Sequence, residues 1–283
     1  MKKVALLTVH GMGTTPKNYA DEITAELQKR LRDKFAGLHV GSVYYQEILQ
    51  ANEEKVWNRL PRRVKWDELR KFLLYGLADA AGLENGKDAL NSVYSSAQAL
   101  LAKELYSTLQ TLGPDGTVVI LAQSLGCQVV SCYFWDAIKY RSGKRVVNGI
   151  WQDIRQFEPM ISGGKTLDPS EISFLQGSSF RHFLTTGCNI PIFVAAHPGA
   201  NILPIRPNDV FSWHNYYDRY DILGWPLSDL STEYSEVVFD HQVNAGSGVF
   251  GWLLKSWNPL SHGQYWGDDE ILDPLESALR EYL

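Results

Sequence analysis

Cysteine is scarce in this 283-residue chain: Cys127, Cys132 and Cys188 are an odd set without metal-ligand spacing. That argues against a disulfide framework or a zinc site and points to a reducing compartment, so a cytoplasmic location is expected. Long apolar runs are missing too, and nothing approaches the roughly 20 residues of a membrane span. The short run 4–9 stops at His10-Gly11 with no small-residue cleavage site, which reads as a strand and not as a signal peptide. Positive charge is not in excess: 27 Lys and Arg against 32 Asp and Glu give a net charge of -5. No overall field exists to gather phosphate backbones, so no nucleic acid is expected as a partner. Neither the Lys-Ser/Thr end of a phosphate-binding loop nor the glycine spacing of a dinucleotide site occurs, so no cofactor is expected. No ligand spacing suggests a metal.

What the chain does have is apolar mass, 45% hydrophobic and 12% aromatic with nine tryptophans, enough for a large core and incompatible with disorder. One domain over 1–283 is expected. The continuous run 4–9, closed by Gly11 and Gly13, has the pattern of a strand buried on both faces of a parallel sheet. Ala20, Ile23, Leu27, Leu31 and Phe35 recur at helical spacing, and 38–45 reads as a second strand. Such a strand-helix-strand unit argues for a parallel α/β sheet. Residues 46–112 carry helix formers interrupted at Pro61 and 82–86, with the last helix expected over 87–112. Gly113-Pro114-Asp115-Gly116 is a turn before a fully buried strand 117–122 and a helix 125–140. Further strands are expected over 190–196, 210–217 and 236–240, and a last helix over 268–283. The expected architecture is a mostly parallel central sheet flanked by helices, with 46–112 and 141–187 as helical or loop insertions forming part of a cap.

Ala122-Gln123-Ser124-Leu125-Gly126 lies between the expected strand 117–122 and helix 125–140. A serine on so tight a turn needs small residues two positions to either side, and its hydroxyl stands above the sheet edge. The turn also puts the Leu125 N–H at a helix N-terminus, where it can hold developing negative charge. For the pentapeptide alone, a serine capping an ordinary turn is the competing reading. His10-Gly11-Met12-Gly13 after the first strand adds a second feature, and with it the chain resembles the α/β-hydrolase superfamily, in its lipase- and esterase-like serine hydrolases. In that family a His-Gly turn supplies the other oxyanion donor; the resemblance puts it at the Met12 N–H and leaves His10 structural. Ala122 replaces the commoner glycine of the elbow, and the triple glycine of the large carboxylesterases is absent.

The superfamily places its triad in the order Ser, acid, His. Asp221, in Asp-Ile-Leu-Gly, resembles the family's acid loop without its proline, and Asp218 is the alternative. Ser261-His262-Gly263-Gln264-Tyr265-Trp266 resembles the family's loop bearing the catalytic histidine, which makes His262 the base and His241, at a strand end, the runner-up. The resemblance implies a carboxylic ester hydrolase working through an acyl-enzyme on Ser124, with a small-molecule or lipid ester as substrate. Acyl transfer or thioester hydrolysis would use the same groups. A non-catalytic binding protein is a third reading, against which the ordered triad argues. Trp213 and Trp225 bracket the acid and Trp257 and Trp266 the base, so part of the aromatic surplus is expected to wall the site.

Segment 55–71 sets seven basic residues (Lys55, Arg59, Arg62, Arg63, Lys65, Arg70, Lys71) against Asp67 and Glu68, with Trp57, Leu60, Val64, Trp66 and Leu69 interleaved. A basic amphipathic helix here would be either a solvated face or a lid making weak contact with an anionic membrane.

Overall fold

A computed structural model of the chain describes residues 2–60, 65–197, 202–245 and 265–283. Six strands, β1 (Val4–Val9), β2 (Leu38–Val43), β3 (Thr117–Gln123), β4 (Phe180–Thr186), β5 (Ser212–Asp218) and β6 (Val238–Val243), form one sheet in the order β2-β1-β3-β4-β5-β6. Every pairing among them is parallel, as the buried apolar runs imply. The longer helices are α1 (Asp21–Leu31), α2 (Gln46–Arg59), α3 (Asp67–Glu84), α4 (Val93–Leu112) and α5 (Leu125–Arg141). Four short helices follow, α6 (Glu158–Ile161), α7 (Pro169–Leu175), α8 (Ile190–Ala196) and α9 (Thr232–Val237), and then α10 (Asp269–Arg280).

Alternation along the central strands divides the core. Leu7, Val9, Val118, Ile120 and Ala122 face α4 and α5 on one side of the sheet. Val4, Leu6, Val119 and Leu121 face Ile23 and Leu27 of α1 and Ile271 and Leu275 of α10 on the other. The chain leaves β1 toward β2 on one side and then returns to β3 on the other. Such a reversal leaves a crevice beyond the carboxyl ends of β1 and β3, where open α/β sheets bind their ligands.

Four expectations are corrected. Residues 190–196 form α8, not a strand: Pro191 in its first turn suits a helix start and could not donate to a ladder. A short apolar run alone does not distinguish the two. The stretch 141–187 is not all insertion, because Phe180–Thr186 is β4, between β3 and β5; Arg181 and His182 interrupt its apolar pattern. Likewise α4 belongs to the layer covering β1 and β2, with Leu101, Leu105 and Leu109 in the core, and it starts at the cap Ser92 instead of at 87. Finally, 55–71 is not one helix. Helix α2 stops at Arg59, Trp66 has a positive φ of 73°, and α3 starts anew at Asp67, while 61–64 lie outside the described residues.

Candidate active site

Ser124 follows β3 directly and sits at φ 51°, ψ -120°, a left-handed conformation that costs a non-glycine residue about 1–3 kcal/mol. Its neighbours impose that turn. The Ser124 N–H donates to Thr186 O of β4 (2.9 Å), and the Cys127 N–H closes the first turn of α5 onto Ser124 O (3.0 Å). A Cβ at position 126 would lie 2.5 Å from His10 O and 2.6 Å from Val9 O, so only glycine lets α5 start against β1. Ser124 is 1% exposed, and among the described residues its Oγ has no hydrogen-bond partner. Leu125 is the first residue of α5, so its N–H has no acceptor within the helix.

The loop after β1 meets this serine. Val9 pairs with Ala122, which brings Gly11 level with Ser124; a Cβ on Gly11 would lie 2.8 Å from Ser124 Cβ. His10 holds the loop from behind. Its ring stacks on Tyr45 (4.1 Å between centroids), Nε2 accepts the Tyr45 N–H (3.2 Å), and Nδ1 lies 2.8 Å from Gly11 O. This pattern puts the proton on Nδ1, and burial pushes the imidazole down to about 4, so the ring is neutral and structural. Beyond it, Met12 packs on Gly76 of α3, where a Cβ would strike its sulfur, and the Gly13 N–H donates to Asp79 Oδ2 (3.1 Å).

Asp221 lies in the turn after β5 and is 7% exposed. Its Oδ1 accepts the Leu223 N–H (2.9 Å) and its Oδ2 the Tyr265 hydroxyl (2.8 Å). The Tyr265 oxygen in turn accepts the Asp218 N–H (3.0 Å), and burial and then the Asp221 charge push its phenol far above the usual range. Asp218 turns its own Oδ1 to the Tyr220 N–H (2.8 Å). His262 and Trp257, with the rest of 246–264, lie outside the described residues. His241 is not brought to the serine: it lies on β6, three strands and so about 14 Å from β3, stacked on Tyr216 with Nε2 3.1 Å from His214 Nδ1. Nor does Trp213 wall the site. It is fully buried, its Nε1 donating to Thr185 Oγ1. Trp266 does line the crevice, with its Nε1 donating to Thr186 Oγ1 (3.1 Å).

The crevice has a volume of about 930 Å³. Gly11, Met12, Ser124, Tyr19 and Trp266 are among the residues that line it, as are Thr14, Thr15, Glu22, Lys29 and Asp269. Among the described residues no cluster of three or more His, Cys, Asp or Glu could hold a metal ion.

Sequence reasoning missed the carboxyls behind the glycine loop. Asp79 is the sole charged residue in 72–83, and that isolation was the available signal. In the fold Asp79 meets Glu53 of α2, both more than nine-tenths buried. Burial, and then the contact with Asp79, pushes the Glu53 carboxyl up to about 9, and burial raises Asp79 as well. Two touching carboxyls in an apolar setting share a proton. Tyr45 and Tyr75 face the pair and are uncharged, since burial raises both phenols. The folded chain thus keeps a proton that the unfolded chain, titrating near 4.5 at Glu53, releases. Stability from this pair is full below that value and falls as the pH rises through about 9. Urea unfolding between those limits is expected to show the decline, and Glu53→Gln to flatten it; an unchanged slope in the variant would remove the shared proton from the account.

No family model matches the chain, and no curated protein matches it. Solved structures do match over its length. An esterase from Pyrobaculum calidifontis is 11% identical, with 99% of this chain and 76% of that one covered and a TM-score of 0.46. A thermophilic carboxylesterase from a metagenomic library is 13% identical, with 100% and 81% covered and a TM-score of 0.45. A structure described as a hydrolase of the alpha/beta superfamily, from Xanthomonas campestris, is 10% identical, with 98% and 99% covered and a TM-score of 0.41. At such identities and scores these likenesses add nothing about activity. The parallel α/β architecture of the chain stands on its own geometry: the parallel sheet, its reversal between β1 and β3, and the left-handed serine at the strand-to-helix turn.

Proposed function

We propose that the chain is a serine hydrolase that cleaves carboxylic esters through an acyl-enzyme on Ser124. The observation that carries this reading is a buried serine held in a strained turn at the sheet's reversal point, its hydroxyl without a partner among the described residues. Structural serines are neither strained nor left unbonded without a reason. In the proposed reaction Ser124 Oγ attacks the ester carbonyl carbon while His262 takes its proton. The Leu125 and Met12 amides hold the resulting oxyanion. The Gly13 amide is committed to Asp79, which anchors that loop. Collapse expels the alcohol with the proton from His262, and water, deprotonated by the same base, then releases the acid and restores the serine. Asp221 orients His262. Tyr265 supports this choice, because it binds Asp221 and lies three residues after His262, a covalent reach of about 11 Å at most.

Polar and charged groups at Thr14, Thr15, Glu22, Lys29 and Asp269 favour a short or polar acyl ester over a long-chain lipid. Treatment with an alkyl fluorophosphonate, followed by peptide mapping, is expected to place one adduct on Ser124, and nitrophenyl acetate or butyrate to be turned over faster than the palmitate. An adduct elsewhere, or none on folded protein, would end the serine hydrolase reading; a preference for palmitate would end only the short-acyl part.

A further inference from the structure

The inner face of α3 touches Met12 and Gly13, and the outer side of the α2–α3 pair carries exposed apolar side chains. Trp66, Leu73 and Leu77 are 65%, 44% and 69% exposed, and Val56 and Leu60 at the end of α2 are 40% and 47% exposed. Trp66, Arg70, Leu73 and Leu77 follow one another at steps of four, three and four, a single stripe along α3. On its other side α3 buries Tyr75, Asp79 and Leu83, so the helix has two apolar faces, and among the described residues only that second one is buried. Scattered exposed leucines need no explanation, whereas a contiguous stripe of this kind marks an interaction surface.

Charge selects the partner. Lys55 and Arg59 near the end of α2, Lys65 just before α3 and Arg70 within it are all exposed, against Glu54 exposed and Asp67 half-buried, on a chain whose net charge is -5. A second copy docking face to face would set these cations against one another. A duplex or single-stranded nucleic acid would gain from the cations but leave the leucines unused. An anionic lipid surface uses both, with the side-chain cations among the headgroups and the apolar stripe at the acyl boundary.

We propose that the outer face of α2 and α3 is a docking surface for anionic membranes, engaged through Leu73, Leu77 and Trp66 and steered by Lys55, Arg59, Lys65 and Arg70. Binding here does not require the chemistry proposed at Ser124, and its failure would leave that chemistry untouched. The probe is flotation with phosphatidylcholine vesicles, pure or carrying about one-third phosphatidylglycerol, at about 50 mM and about 500 mM salt. The full chain is expected to float with the anionic vesicles at low salt, at least about tenfold less at high salt, and not with the neutral ones. Leu73→Glu with Leu77→Glu, and separately Arg59→Glu with Arg70→Glu, are each expected to weaken flotation by about tenfold or more. All four positions are exposed, and either pair suffices if the other fails to fold. No flotation with anionic vesicles at low salt would overturn the proposal, as would equal flotation with neutral vesicles. So would a concentration-dependent dimer, seen by sedimentation, that the leucine substitutions abolish.

Discussion

Ser124→Gly is expected to abolish turnover and, at the same time, to make the protein more stable. The native residue holds φ 51°, ψ -120°, a strain of about 1–3 kcal/mol for any side chain bearing Cβ. It also buries a hydroxyl that no described group bonds. Glycine relieves both, and returns about 0.5–1 kcal/mol through the greater freedom of its unfolded chain. The net gain is on the order of 1 kcal/mol, which for a domain of this size raises Tm by about 2–4 °C. Ser124→Ala removes the hydroxyl but keeps the strain, so its Tm is expected between those of the native protein and the glycine variant. Loss of the nucleophile should lower kcat/KM on a short-chain nitrophenyl ester by at least about 10⁴-fold in both variants. Calorimetry and steady-state kinetics on the same samples check the pairing of effects. Turnover within about tenfold of native would place the chemistry elsewhere, and a lowered Tm in the glycine variant would mean that the turn stores no strain.

The parts of this protein legible in its sequence are those fixed by short-range geometry. The fully apolar runs of β1 and β3 read as buried parallel strands because both sheet faces are covered, and Gly126 reads as obligatory because α5 starts against His10 O and Val9 O. What stayed hidden depends on contacts between distant residues. Strand β4 carries Arg181 and His182 and declares itself only by pairing with β3 and β5, while Ile190–Ala196 looks like a strand by composition and is a helix because of Pro191. In the site, the serine turn and the glycine loop were each visible as a short local motif. Their anchoring contacts were not: Asp79 reaches Gly13 across 66 positions and Tyr265 reaches Asp221 across 44, and although the isolation of Asp79 in an apolar stretch is visible, nothing in the chain says which residue it meets. Tryptophan shows the limit from the other side. Trp213 and Trp266 flank proposed site residues alike in sequence, yet one fills the core and the other lines the crevice.

Asp221→Asn and Asp218→Asn separate the two carboxylates that sequence order alone leaves open. Both are buried and three residues apart, and Tyr265 bridges them, accepting the Asp218 N–H while donating to Asp221 Oδ2. At Asp218 the bridge uses the backbone, and the side chain serves Tyr220 through Oδ1, a role that an amide oxygen can take over. Asp218→Asn is therefore expected to cost less than about tenfold in kcat, within the effect of one neutral hydrogen bond. At Asp221 the side chain itself is engaged, Oδ1 with Leu223 and Oδ2 with Tyr265, in a space so close that a Cβ on Gly224 would lie 2.7 Å from Oδ2. An amide there has only one acceptor atom for the work of two and no charge to stabilise a protonated base, and in serine hydrolases such a change lowers kcat by about 10⁴-fold. Because the shape is conserved, Tm should move far less than kcat does. Tyr265→Phe should fall between the two, since it removes one bond to Asp221 and leaves the Asp218 N–H unpaired. A larger loss at Asp218 than at Asp221 would transfer the acid to the end of β5. Equal small losses at both would mean that neither carboxylate orients the base.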